Sequence, residues 1–164
     1  MGVWRRFLFV LSGSAAVVAA TTSAAAASPP QAISGEVRYL SSSFNRVTVD
    51  GGNTIIDLSA TVSYSGTFTG TSTLHGRLII HPSGSANAHD VEVFTGTVDG
   101  VPGAATLNLN LSSDPALVVT GKDVIVGASG GLTGLHGMLT VHAQVFDKLV
   151  GPIGTYGGQI AGLG

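Results

Sequence analysis

The sequence lacks cysteine altogether and contains few charged or aromatic residues. Without cysteine no disulfide can form, and a chain of this size needs none because it buries enough surface on folding. Charged residues make up 10% of the chain, against 44% hydrophobic residues, and glycine occurs 24 times in 164 residues. This balance excludes a disordered chain and favours a β-rich protein with many tight turns over a helical one.

Basic residues are also scarce. The formal net charge is −2 at pH 7, and it becomes −4 without Arg5 and Arg6, since all nine acidic residues lie further along the chain. Five scattered cations form no basic patch, so we predict no nucleic-acid partner. The sequence has neither a glycine-rich phosphate loop that opens a helix nor a nucleophile elbow, so nucleotide use and serine hydrolase chemistry lack support.

The first 27 residues have the three parts of a secretory signal peptide. Two arginines precede apolar residues, and four alanines at positions 24–27 offer small side chains for cleavage before Ser28. The alternative is a retained membrane anchor. Residues 12–14, Ser-Gly-Ser, disfavour it because they break the apolar stretch short of the roughly 20 residues that a spanning helix needs.

We therefore predict a protein that is secreted or held in the cell envelope, with no membrane span after cleavage. The mature chain is predicted to begin with a flexible tether at residues 28–35, which contains Pro29 and Pro30. Residues 36–164 are predicted to form a single domain.

Short β-rich segments alternate with turn residues at intervals of about ten residues, which is typical of an all-β domain. The predicted strands are 36–40, 54–68, 73–81, 89–98, 104–111, 117–126, 137–146 and 155–160. Short links predict an antiparallel meander, and strands in this number can close into a barrel that has no exposed edge. A two-sheet sandwich is the alternative architecture.

The hairpin around residues 82–84 places acidic residues on an apolar face. If His81 pairs with His89 across the turn, Glu92 lies opposite Leu78. The inward face of the hairpin then holds Leu74, Gly76, Leu78, Ile80, Asp90, Glu92, Phe94 and Gly96. Burial among these residues would raise the pKa of Glu92, which makes it a candidate general acid or base, or an anchor for a ligand.

A register slip of one residue would reverse this interpretation. Glu92 would then lie near a barrel mouth or pair with Arg77 on the surface. Tyr64 is the natural interior polar partner of Glu92, although a tyrosine that only fills the core is the simpler reading. The predicted ligand-binding residues are Tyr64, Leu78, Ile80, Glu92 and Phe94, with Glu92 as the candidate catalytic residue.

The histidines do not form a convincing metal site. His75 and His81 share a strand face but would lie roughly 20 Å apart, and the second pair of equal spacing fails in the same way. Only His81 and His89, which flank one turn, would meet, and two ligands without a third make a weak zinc site. We predict solvated surface histidines, no metal and no cofactor.

Three segments resemble a family of small bacterial proteins, abundant in actinobacteria, that is catalogued as a domain of unknown function. They are residues 64–72 (YSGTFTGTS), 92–103 (EVFTGTVDGVPG) and 127–137 (GASGGLTGLHG). The resemblance implies an eight-stranded antiparallel closed β-barrel similar to that of allene oxide cyclase and dirigent proteins. It also implies that Glu92 occupies the family's characteristic glutamate position. Ala104 and Ala105 depart from the family's small-plus-aromatic pair, which leaves room in the lumen or marks a different ligand.

Three functions follow from these observations. An apolar lumen with one or two polar anchors favours the binding of a small hydrophobic ligand, which is the function we prefer. A cofactor-free isomerase or cyclase of the allene oxide cyclase type would use Glu92 to stabilise charge or to move a proton. A non-catalytic envelope or structural protein would have a lumen filled by side chains. Fold alone does not decide between them, and the sequence does not indicate the oligomeric state.

Overall fold

The computed structural model describes residues 29–163, and the predicted signal peptide lies outside this range. The strands are β1 (Gln31–Asp50), β2 (Asn53–Gly66), β3 (Phe68–Ile80), β4 (Ala86–Val98), β5 (Val101–Ser113), β6 (Val118–Gly130), β7 (His136–Asp147) and β8 (Gly151–Ala161). Each strand pairs antiparallel with the next, and β1 also pairs with β8, so the sheet closes into a barrel. The all-β prediction with eight antiparallel strands is confirmed, and the sandwich alternative is wrong.

Strand β1 is four times as long as predicted, with 20 residues instead of five. Its pairing with β2 shifts register twice, between Tyr39 and Ser41 and between Phe44 and Arg46. Each shift adds a residue to one strand and interrupts the alternation of inward and outward side chains. A search for period-two alternation therefore loses the strand after Leu40.

The predicted tether is wrong for residues 31–35. These residues form the first part of β1 and pair with β8, from Gln31 opposite Ile160 to Gly35 opposite Tyr156. Ile33 is only 5% exposed. Closure of the barrel requires a partner for β8, and this segment provides it.

The hairpin of β3 and β4 has a different register from the predicted one. Arg77 lies opposite His89, and Leu74 lies opposite Glu92, so the predicted pairs of His81 with His89 and of Leu78 with Glu92 are wrong. The loop is shorter than assumed, because β4 already begins at Ala86. The shift amounts to four residues, an even number, so the predicted inward face is unchanged.

The barrel has two different ends. The loops at residues 51–52, 81–85, 114–117 and 148–150 lie at one end, which we call the open end. The opposite end, which we call the closed end, holds the links at residues 67, 99–100 and 131–135. Of the glycine-rich segment 127–137, only residues 131–135 lie outside strands, and the rest belongs to β6 and β7.

Basic side chains lie on the outside of the barrel. All five Lys and Arg residues in the described range are exposed, and Arg77 forms an ion pair with Asp57 at 2.8 Å. Four of the five histidines are exposed, while His81 is half-buried and its Nδ1 lies 3.0 Å from Oδ1 of Asn53. No helix in residues 29–163 is long and apolar enough to cross a membrane.

Candidate functional site

The closed half of the interior is filled by aromatic rings. Tyr64, Phe68, Phe94 and Tyr156 come from four different strands, and in five of their pairs the ring centroids lie 5.3–6.2 Å apart. Three of the contacts are edge-to-face, an arrangement that adds to the stabilisation from burial. Phe68 and Phe94 are 1% and 0% exposed. The four rings therefore occupy this half of the lumen.

Two further features seal the closed end. Leu132 and Leu135 of the 131–135 loop are 0% and 4% exposed, so the loop covers the aromatic rings. The hydroxyl of Tyr156 accepts a hydrogen bond from the backbone N–H of Phe68 at 2.8 Å and donates to the backbone oxygen of Ser65 at 3.1 Å. The phenol thereby pairs backbone groups where β2 passes into β3.

The open half of the interior contains a cavity of about 440 Å³. Its wall is mainly apolar and includes Ile56, Leu58, Leu78, Ile80, Leu111 and Val119. Residues from the loops at the open end, among them Pro115 and Leu149, surround its mouth. The volume lies within the range of roughly 300–1,000 Å³ that is usual for small-molecule sites.

Glu92 points into the barrel but does not line this cavity. It is 1% exposed, its Oε2 accepts a hydrogen bond from the Tyr64 hydroxyl at 3.1 Å, and its Oε1 accepts one from the Ser72 hydroxyl. Burial raises the pKa of Glu92, and the two hydrogen bonds oppose that rise. Both carboxyl oxygens are therefore occupied by protein donors between the cavity and the aromatic rings.

Asp90 is the acidic residue that lines the cavity. It is 6% exposed, and its Oδ1 has no hydrogen-bond partner in the described structure. The carboxyl group occupies the space left by the missing side chain of Gly76, its partner on β3. Burial raises the pKa of Asp90 to about 6, although the charge of His89 and a backbone hydrogen bond from Arg77 oppose the rise.

Asp123 is the third buried acid of the described structure, and the sequence analysis did not identify it. It lies on β6 between Leu109 and Leu139 of the neighbouring strands. It is 1% exposed, and its Oδ1 also lacks a hydrogen-bond partner within residues 29–163. Burial, together with the negative charges of Glu92 and Asp90, raises its pKa to about 8.

Three carboxyl groups thus share one interior that no Lys or Arg side chain of residues 29–163 enters. The charges of Glu92, Asp90 and Asp123 all act on Tyr39, a cavity-lining residue whose pKa is raised well above its ordinary value, mainly by burial. Every Lys and Arg of the described chain is exposed; Lys148, at the mouth, is the one that borders the cavity. The lumen is therefore apolar and acidic at the same time.

The structure divides the predicted site residues between two regions. Leu78 and Ile80 line the open cavity, whereas Tyr64 and Phe94 belong to the closed aromatic packing. Glu92 lies between the two groups, and its catalytic role stays a prediction. Alternation had already put Asp90 on the inward face. The signal for Asp123 was weaker, because exposed valines give β6 two apolar faces.

The described histidines and acids do not form a metal site. In residues 29–163, no group of three or more His, Cys, Asp or Glu side chains is arranged to hold a metal ion. His75, on the outer face, contacts the Ser59 hydroxyl through Nδ1 at 2.9 Å, and His89 contacts Oδ1 of Asn110 at 2.7 Å. These side chains contact polar neighbours on adjacent strands.

Two solved structures resemble this barrel. A protein of unknown function from the DUF3224 family of Shewanella oneidensis MR-1 superposes with a TM-score of 0.64 at 17% identity, covering 80% of this chain and 97% of its own. The pterocarpan synthase dirigent protein GePTS1 superposes with a TM-score of 0.51 at 11% identity, covering 92% of this chain and 98% of its own. No known family and no curated protein matches the sequence. At these identities the likeness is one of fold alone.

Proposed function

We propose that this barrel binds a small, largely apolar molecule in the open half of its lumen. The observation that carries the proposal is the cavity of about 440 Å³, which has an apolar wall and one desolvated carboxyl group on it. Such a pocket takes up apolar surface non-directionally, while a single polar group sets the orientation of the bound molecule. The packed closed half supports this function because it gives the cavity a rigid floor.

The experiment is a titration of the purified protein with N-phenyl-1-naphthylamine, a neutral dye whose fluorescence rises in apolar surroundings. The test variant is Ala88→Phe, because Ala88 lines the cavity and a phenyl ring there would fill it. The matched control is Val91→Phe on the same strand, since Val91 faces outward and is 48% exposed. We expect saturable binding that weakens at least about tenfold in Ala88→Phe and is unchanged in Val91→Phe.

Thermal unfolding of both variants shows whether the barrel is intact. Equal loss of dye binding in the two variants, or no saturable binding to the parent protein, contradicts the proposal. Dye binding that survives in a folded Ala88→Phe variant contradicts the assignment to this cavity.

A cofactor-free isomerase or cyclase, of the kind the resemblance to allene oxide cyclase suggests, is the second candidate. It is favoured by the carboxyl of Asp90, whose pKa of about 6 suits proton transfer near neutral pH. The two functions differ in what happens to the bound molecule. An apolar compound that co-purifies and is recovered unchanged supports binding, while recovery of an isomer of the same mass supports catalysis. The structural role is the least supported, because the open half is not filled.

We also propose that the protein is exported. The support is the leader pattern in residues 1–27, which contains Trp4, the single tryptophan of the chain. Cleavage near Ser28 removes this residue. The protein recovered from outside the cytoplasm should therefore show tyrosine emission alone, and tryptophan emission from it would contradict the proposal.

A further inference from the structure

The carboxyl of Asp90 is a buried polar group on the wall of the cavity. The side chain is 6% exposed and borders the cavity, while its Oδ1 lies over Gly76, closed off from solvent and without a hydrogen-bond partner in the described structure. Part of the cost of taking this carboxyl out of water has therefore already been met on folding. A ligand that brings a hydrogen-bond donor to the carboxyl adds an interaction that the protein leaves unmade.

The charge of the lumen decides what kind of donor fits. Asp123 and Glu92 lie in the same interior and act electrostatically on the same tyrosine as Asp90. No Lys or Arg of residues 29–163 is buried with them, and these carboxyls are not arranged to hold a metal ion. At pH 7.5 the ionised carboxylate of Asp90 on the cavity wall would repel an anionic head group and attract a cation, an attraction that the low dielectric strengthens and that the charge of the neighbouring His89 opposes.

The mouth of the cavity carries one charged and one apolar side chain that are both exposed. Lys148 lies at the rim and is exposed, and Leu149 beside it is 73% exposed. The wall between the rim and Asp90 is apolar, so a hydrocarbon tail would lie along it while the head group reaches the carboxyl.

We propose that the molecule bound in this cavity is an apolar amine, whose protonated nitrogen donates to the carboxylate of Asp90. The inference rests on the proposed binding function and names its ligand class. Burial raises the pKa of Asp90 only to about 6, so this carboxyl is mainly ionised at pH 7.5 and can pair with an alkylammonium head.

The experiment compares three probes with one tail: octylamine, 1-octanol and octanoate. Each displaces N-phenyl-1-naphthylamine from the purified protein at pH 7.5, which gives three dissociation constants. We expect octylamine to bind at least about tenfold more tightly than 1-octanol, the scale of a hydrogen bond between charged partners. Octanoate should bind more weakly than 1-octanol.

Two carboxylate variants assign the effect to Asp90. In Asp90→Asn, octylamine and 1-octanol should bind equally, while 1-octanol binds as it does to the parent. The matched control is Asp57→Asn, which removes a half-buried carboxylate of the outer surface that pairs with Arg77. It should leave the preference for the amine intact, because solvent screens a charge on the outer face from the lumen.

The outcomes distinguish a failure of the amine inference from a failure of the proposed binding function. If none of the three probes displaces the dye, or if the dye does not bind, the binding function itself fails. If all three bind equally, or octanoate binds most tightly, the cavity binds apolar molecules but the amine inference is overturned. A preference for octylamine that persists in a folded Asp90→Asn variant overturns the assignment to Asp90.

Discussion

The two halves of this barrel interior are built from the same strands but differ in what fills them. The closed half is packed by four aromatic rings and covered by the 131–135 loop, whereas the open half encloses a cavity of about 440 Å³. The difference follows from side-chain size along the inward faces. Strand β4 shows it well: Ala86 and Ala88 face the cavity, while Phe94 fills the closed half.

This comparison teaches that close packing and open space are concentrated at opposite ends of the barrel. Close packing in the closed half supplies dispersion and hydrophobic stabilisation, so any loss of volume there is felt strongly. The open half gives up part of that stabilisation and keeps a desolvated, unpaired carboxyl group. Such a feature lowers stability, and it is compatible with the binding function proposed above.

The largest expected effect comes from matched leucine truncations on β3. Leu74 is 0% exposed and lies opposite Glu92, while Leu78 points the same way but lines the cavity. We expect Leu74→Ala to lower the free energy of unfolding by about 3 kcal/mol and Leu78→Ala by about 1 kcal/mol, because the second only enlarges an existing space. Urea unfolding measures the free energy of unfolding of both variants. Equal losses would contradict the difference in packing between the two halves.

The next effect is a dependence of stability on pH. Burial raises the pKa of Asp123 from 3.8 to about 8. Between these two values the folded state binds more protons than the unfolded state, so stability falls as pH rises from about 4 to 8. Asp123→Asn removes this loss. The variant should match the parent near pH 4 and be more stable by about 1–3 kcal/mol at pH 8.

The control for this pH dependence is Asp57, which lies on the outer surface of the barrel and is only half-buried. A hydrogen bond from Arg77 lowers the pKa of Asp57, so its ionised form stabilises the fold at pH 8 and no longer does so in acid. Asp57→Asn should therefore act in the opposite direction, with a small loss of stability at pH 8 and none near pH 3. Urea unfolding across the pH range compares the two variants, and the same sign for both would contradict the burial argument.

A smaller effect separates two tyrosines. Tyr156→Phe removes the hydroxyl that accepts from the N–H of Phe68 and donates to the oxygen of Ser65. We expect a loss of about 1–3 kcal/mol, because a buried backbone donor is left unpaired. Tyr39→Phe removes a hydroxyl at the wall of the cavity and should cost less than about 0.5 kcal/mol. Thermal unfolding in parallel measures both; a larger loss in Tyr39→Phe would contradict the assignment of stability to the closed half.

Much of the fold could be predicted from alternation and turn residues. Every predicted strand exists, and the inward face of the β3–β4 hairpin is the predicted one despite a register error of four residues. The errors occur where local pattern and tertiary pairing diverge. Bulges hide the second half of β1, and residues 31–35 are ordered only because β8 needs a partner.

The candidate site was harder to predict than the fold. Alternation states whether a side chain points inward, but not at which height of the barrel it lies. Glu92 and Asp90 are two residues apart on one strand, yet their surroundings differ. Glu92 accepts hydrogen bonds from the hydroxyls of Tyr64 and Ser72. Asp90 borders the cavity, and its Oδ1 has no hydrogen-bond partner in the described structure. The pattern around Asp123 is ambiguous. Val124 and Ile125 are both apolar, but the first is exposed and the second is buried, so the sequence does not indicate which face of β6 points inward.

By itself, the sequence determined the all-β class, the number of strands and the inward direction of Glu92, because these depend on local periodicity and on turn chemistry. Only the tertiary structure decided which half of the lumen stays open and which carboxyl borders it. The physical reason is the stagger of strands around a closed barrel: it brings side chains from distant parts of the chain to one height, and no local pattern records that height.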